Sequence, residues 1–200
     1  MQVRKGLSLI GIIIATAVIS GAMVSFLTHQ NQLQKLQFEQ EYAMLGNLLA
    51  SEGVELARGV RDTNFLSGNI HDGRDWYSGL SDGEYNVDYD MELDSQASDG
   101  GFNSSHNSVR SCPDGDFDSE EDDCRLMRED GKNFYTLYDS TEDEVDDVEM
   151  YRQIKLESDN SSNPDTYITV TSRVKIVGKR SGNEQAQYTA VARLYKTDVF

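Results

Sequence analysis

The first 65 residues fall into two hydrophobic patterns that share one period. Leu7 to Leu27 is a run of 21 residues without a charge, apolar all round. At 1.5 Å per residue a helix of that length just spans the hydrocarbon core of a bilayer. Further on, the apolar positions thin to a stripe at Phe38, Tyr42, Leu45, Leu49, Leu56 and Val60. Those spacings of four, three, four, seven and four mark one face of a helix. Proline is absent before Pro113, and Gly46 and Gly53 lower helix propensity without breaking the stripe. The simplest expectation is one helix from about Leu7 to about Arg61, apolar in its first half and amphipathic in its second. A signal anchor followed by a separate juxtamembrane helix remains the alternative.

After Phe65 the period changes. Gly, Asp, Ser and Asn crowd residues 67–83, which reads as loop. Tyr85 to Leu93 then alternates, with odd-numbered side chains directed inward as in a half-buried strand. Further strands are expected at Asn133–Tyr138, Tyr151–Glu157, Thr166–Val177 and Gln187–Tyr195. The last two are joined by a short Gly-rich loop suited to a hairpin. Strands without intervening helices favour an antiparallel sheet, so the fold class is α+β with the amphipathic helix against one sheet face.

Charge sharpens this division. The chain carries 18 basic and 35 acidic residues, a net −17. Residues 1–61 hold five basic and four acidic groups, so residues 62–200 carry −18. An acidic head repels phosphate backbones, which excludes nucleic-acid binding by the head. Arg4 and Lys5 precede the apolar run and the next basic residue is Lys35. The positive-inside rule then keeps the short N-terminus in the cytoplasm and places the head outside. A cleaved secretory signal would have a shorter apolar region and a small-residue cleavage site, and here a polar helix follows instead.

Arg4-Lys5-Gly6-Leu7-Ser8-Leu9-Ile10 resembles the processing site of type IV pilins and type II secretion pseudopilins. The resemblance implies a leader of residues 1–6, cut by a prepilin peptidase between Gly6 and Leu7, and N-methylation of Leu7. It implies a lollipop architecture: a membrane and filament-core helix at 7–27, built on Leu9, Ile10, Gly11, Ile12, Ile13 and Ile14, its amphipathic continuation at 28–65, and a β-rich head at 66–200. The family places Glu at the fifth mature position, where it neutralises the terminal ammonium of a neighbouring subunit. Here that position is Gly11, which points to a minor or tip subunit rather than to a major pilin. A second stretch, Glu52-Gly53-Val54-Glu55-Leu56-Ala57-Arg58-Gly59-Val60-Arg61-Asp62-Thr63-Asn64-Phe65, resembles the EGIE-x-R-x-IRD-x-N-W stretch of PilV-type, or pilus-modification, minor pilins. The implied partners are other pilin subunits, the prepilin peptidase and an inner-membrane assembly platform. The implied location is the inner membrane, then an extracellular filament. The alternatives are a pseudopilin of a secretion or DNA-uptake machine, and a single-pass anchored binding module that never polymerises.

A head outside the cytoplasm makes a Cys112–Cys124 disulfide the default, with two reduced thiols as the alternative. Between the cysteines lie Asp114, Asp116, Asp118 and Asp122, at positions 1, 3, 5 and 9 of an EF-hand-like loop. Ser119 replaces the glycine of position 6 and Arg125 the glutamate of position 12, so this candidate calcium loop competes with a plain solvated acidic loop. No other cofactor is expected. A second acidic run, Asp139–Glu149, holds seven carboxylates and reads as solvated loop. No nucleophile, P-loop or zinc-protease motif occurs, so no catalytic residues are assigned and the expected role is structural.

Overall fold

The computed structural model describes residues 4–66, 75–88, 91, 93, 101–102, 108–128, 135–138, 148–159, 166–178 and 185–196. The chain divides into two compact units, Met1–Tyr42 and Ala43–Phe200.

A single helix, α1 (Arg4–Leu66), runs through the first unit and into the second. It extends five residues beyond the end expected from the apolar stripe, because Asn64 and Phe65 still have a sheet and a loop to pack on. In the first unit every side chain from Leu9 to Glu41 is exposed. The segment is long and apolar enough to cross a membrane. Both of its threonine hydroxyls are satisfied within the helix, Thr16 donating to the Ile13 carbonyl at 2.9 Å and Thr28 to the Val24 carbonyl at 2.9 Å. A surface of this kind is unfavourable in water and ordinary in lipid, where backbone and side-chain polar groups must pair internally.

The second unit is α+β. After the helix come β1 (Gly83–Val87), β2 (Val109–Ser111), a short helix α2 (Asp114–Ser119), a 3₁₀ turn (Asp122–Cys124), β3 (Arg125–Met127), β4 (Thr136–Leu137), β5 (Val148–Ser158), β6 (Tyr167–Gly178) and β7 (Gln185–Tyr195). All seven strands belong to one sheet and every pairing is antiparallel. β6 lies between β5 and β7. The other edge of β5 is shared: β3 pairs with Met150 and Tyr151, and β1 with Ile154 to Leu156. At this fork the Asn86 amide donates to the Asp123 and Arg125 carbonyls at 3.1 and 3.2 Å, tying β1 to the start of β3, with which it has no ladder.

The strands expected at residues 151–157, 166–177 and 187–195 are present, the first and last longer by a few residues and the middle one shifted by one. The expected strand at 133–138 contracts to Thr136–Leu137 among the described residues. The expected strand 85–93 is regular only to Val87, and Asn86 on its even face is buried as well. β2, β3 and α2 were not anticipated, since three residues of strand and six of helix are too few to display a period.

The core lies between the helix and the even-numbered face of β5, β6 and β7. Val54, Ala57 and Val60 from the helix meet Ile154, Leu156, Ile168, Val170 and Leu194, and Trp76, Leu80, Val87 and Phe102 close one side. The buried helix positions are Gly46, Leu49, Ala50, Gly53, Val54, Ala57, Val60 and Asn64. This face differs from the stripe read from large side chains. Phe38 is exposed, and small residues take the centre of the contact. A Cβ at Gly46 would sit 2.1 Å from the Tyr188 ring, and one at Gly53 would sit 2.4 Å from the Ser172 hydroxyl. The two glycines therefore let helix and sheet backbones approach closely.

Candidate functional site

Three features carry the chemistry: the exposed apolar stretch, the polar set at the end of α1, and the disulfide-closed strap.

Gly6 and Leu7 are helical, within α1. Leu9, Ile10, Ile12, Ile13 and Ile14 are all exposed. At Gly11 and Gly21 an added Cβ would meet no atom within 4 Å, so no packing within the chain requires glycine at either position.

The polar residues between Glu52 and Asn64 act as fasteners between helix and head. Glu52 accepts from the Arg152 guanidinium at 3.2 Å, and Arg152 is fully buried on β5. The same guanidinium donates to the Val87 carbonyl. An ion taken wholly from water needs both a counter-charge and hydrogen bonds, and this one has Glu52 and a β1 carbonyl. Asn64, also fully buried, donates to the Trp76 and Ser78 carbonyls at 3.1 and 2.8 Å, fixing the loop that follows the helix. Arg58 pairs with Glu55, and Arg61 with Asp62 at 2.6 Å, along the more exposed side. Arg152 escaped the sequence reading, although a signal existed: it shares the even-numbered register of Ile154 and Leu156, which points into the core.

Cys112 and Cys124 are joined by a disulfide, S–S 2.05 Å, and both are fully buried. With Phe117 and Tyr151 they form a small second core on the outer, odd-numbered face of the sheet. The intervening strap is held there by charge. Asp114 pairs with Arg173 and accepts from the Gln153 amide at 3.3 Å. Glu120 pairs with Lys175 at 2.8 Å and accepts from Gln185 at 2.7 Å. Arg173 also stands 4.9 Å over the Phe117 ring. This cover explains why both faces of β5 are buried around Tyr151–Gln153.

Electrostatics follow the contacts. Burial pushes the Asp114 carboxyl up, but the Arg173 hydrogen bond and charge, with Gln153 and Lys155, outweigh it and hold the group below the usual value of 3.8. Lys155 is raised, first by its bond to Glu84 and then by Glu157. Burial, reinforced by Glu149, pushes the Tyr151 hydroxyl well above its ordinary range.

The EF-hand-like arrangement is not formed. Asp114 to Asp118 lie on a helix rather than on a wrapping loop, Asp114 is engaged by Arg173, and Asp122 pairs with Arg125 at 3.7 Å. Among the described residues no group of three or more acidic, histidine or cysteine side chains converges as a metal would require. The calcium expectation at Asp114, Asp116, Asp118 and Asp122 is corrected accordingly: the four carboxylates do not converge, and Asp114 and Asp122 face Arg173 and Arg125 instead. Most of the acidic run Asp139–Glu149 lies outside the described residues. Its last member, Glu149, pairs with Arg125 at 3.2 Å.

Comparison with protein-family profiles, with curated proteins and with solved structures finds no match to this chain.

Proposed function

We propose that the protein is a minor, tip-type subunit of a type IV pilus or a related filament. In this reading a prepilin peptidase cuts between Gly6 and Leu7, Leu7 is N-methylated, and the apolar helix holds the subunit in the inner membrane. An assembly platform then transfers it into a filament, where the helix packs against those of other pilin subunits. The observation that carries the reading is the helix itself. Its residues Leu9 to Leu27 are apolar and exposed, and the same helix continues into a face sealed onto a disulfide-bonded sheet. Lipid and a bundle of equivalent helices are similar solvents for such a surface. The tip assignment rests on Gly11, which offers no carboxylate to a neighbour's terminal ammonium and has no packing role within its own chain.

Mass spectrometry of the N-terminal peptide of the protein, recovered from membranes of a host with its prepilin peptidase, tests this directly. A peptide beginning at N-methylated Leu7 is expected. A mature protein that retains Met1 refutes the reading and supports a plain membrane anchor.

A further inference from the structure

The head is acidic except along one margin. Between Thr166 and Lys196 the sequence holds six basic residues and one acidic residue, Glu184, while the rest of the chain holds 12 basic and 34 acidic. The described part of this margin is β6 and β7. Among the described residues β7 pairs with β6 alone, so one edge of an 11-residue strand has no strand beside it. A long uncovered edge is a template for association unless something blunts it, and β7 contains no proline. The outer row of β7 is exposed throughout, with Val191 62% and Tyr195 46% exposed to water. Arg193 lies on the same row, 5.0 Å over the Tyr167 ring, and Tyr167 is 6.0 Å from Tyr195. Neither Arg193 nor Lys196 has an ion-pair partner among the described residues.

What this sheet face accepts is visible within the chain. On the neighbouring part of the outer face, Arg173 and Lys175 receive Asp114, Glu120 and the Phe117 ring from the disulfide strap. Arg193 and the end of β7 are the uncovered continuation of that basic, aromatic face. The strap keeps further carboxylates free of the sheet, with Asp118, Glu121 and Asp123 exposed.

We propose that the β7 margin is a self-association surface, whose Arg193 and Lys196 end receives the exposed strap carboxylates of a second copy of the chain. The two patches differ, so the contact is heterologous and each copy presents both halves. The charge pattern selects this partner: the margin is the basic part of a molecule whose remaining surface is acidic. The contact does not depend on cleavage after Gly6, so its failure would leave the filament reading standing.

The test uses the full chain in detergent micelles, with association measured by sedimentation velocity over a dilution series at low and high salt. The wild type should associate with concentration, less so at high salt. Arg193→Glu with Lys196→Glu should weaken association by about tenfold or more, as should Asp118→Lys with Glu121→Lys. An equimolar mixture of these two variants should recover it, because acidic and basic patches then meet across the pair. Trp76 fluorescence and the intact disulfide mass verify the fold. If either double variant loses its fold, Val191→Glu, at an exposed position on the same row as Arg193, should weaken association in its place. A monomeric wild type, association indifferent to all these substitutions (as association through the helix alone would be), or a mixture that fails to recover would overturn the proposal.

Discussion

Replacing Gly53 by alanine tests the close approach of helix and sheet, because elementary helix physics predicts the opposite sign. In an exposed helix interior, Gly→Ala stabilises by about 0.5–1 kcal/mol. Here the new Cβ would lie 2.4 Å from the Ser172 hydroxyl and 3.0 Å from both Cδ1 and Cγ1 of Ile154. Ser172 is fixed by its place in β6, between Ile154 of β5 and Ala190 of β7. The helix is held on the same sheet by Glu52–Arg152 and by the Gly46–Tyr188 contact. Overpacking of this kind costs about 1–3 kcal/mol, which exceeds the propensity gain, so Gly53→Ala should destabilise by about 1–2 kcal/mol. Ser172→Ala isolates the cause. Its hydroxyl is buried with no hydrogen-bond partner among the described residues, and its removal should stabilise by about 1 kcal/mol. In the double variant the tightest clash is gone, so the two effects should couple favourably by about 1 kcal/mol. Urea unfolding of the full chain in detergent, followed by fluorescence of Trp76, reads all four proteins, since this is the only tryptophan and it is buried. A Gly53→Ala variant more stable than wild type, or strictly additive effects, would refute the reasoning.

Other perturbations have equally definite outcomes. Glu52→Ala leaves the buried Arg152 guanidinium without its anion and should cost about 3 kcal/mol in the same urea assay, at the low end for a buried pair because the Glu52 side chain is 37% exposed. Arg152→Met added to Glu52→Gln should recover most of that loss. Replacing both cysteines by serine should lower stability by about 3 kcal/mol, from a loop whose cysteines are 12 residues apart, as measured by the unfolding midpoint with and without reductant. Asp114 has a lowered native pKa, so its contribution is present above the ordinary carboxylate value of 3.8 and is lost as pH falls through the native value. The stability difference between wild type and Asp114→Asn, followed by thermal unfolding over an acid pH series, should therefore vanish at the acid end. A constant difference would contradict the Arg173 contact.

Much of this protein was legible in the order of its residues. The uncharged run Leu7–Leu27 specifies a lipid-compatible helix on its own, because length and hydropathy are properties of the segment rather than of its neighbours. The alternation in β5, β6 and β7 likewise announced an antiparallel sheet, since a period of two needs no tertiary information. The cysteine pair was readable because the chain has only two cysteines, which leave one possible intramolecular pairing. Three things were decided only by the tertiary structure. Which face of the helix docks was set by Gly46, Gly53 and Ala57, small side chains invisible to a hydrophobic count, because close backbone approach rewards absence of volume rather than apolar area. The roles of Glu52 and Asn64 depended on Arg152, Trp76 and Ser78, partners up to 100 residues away that local spacing cannot name. The strap's aspartates looked like calcium ligands because their spacing is local. Asp114 instead faces Arg173, 59 residues away on β6, a charge that only the fold brings within reach, while Asp122 meets its near neighbour Arg125.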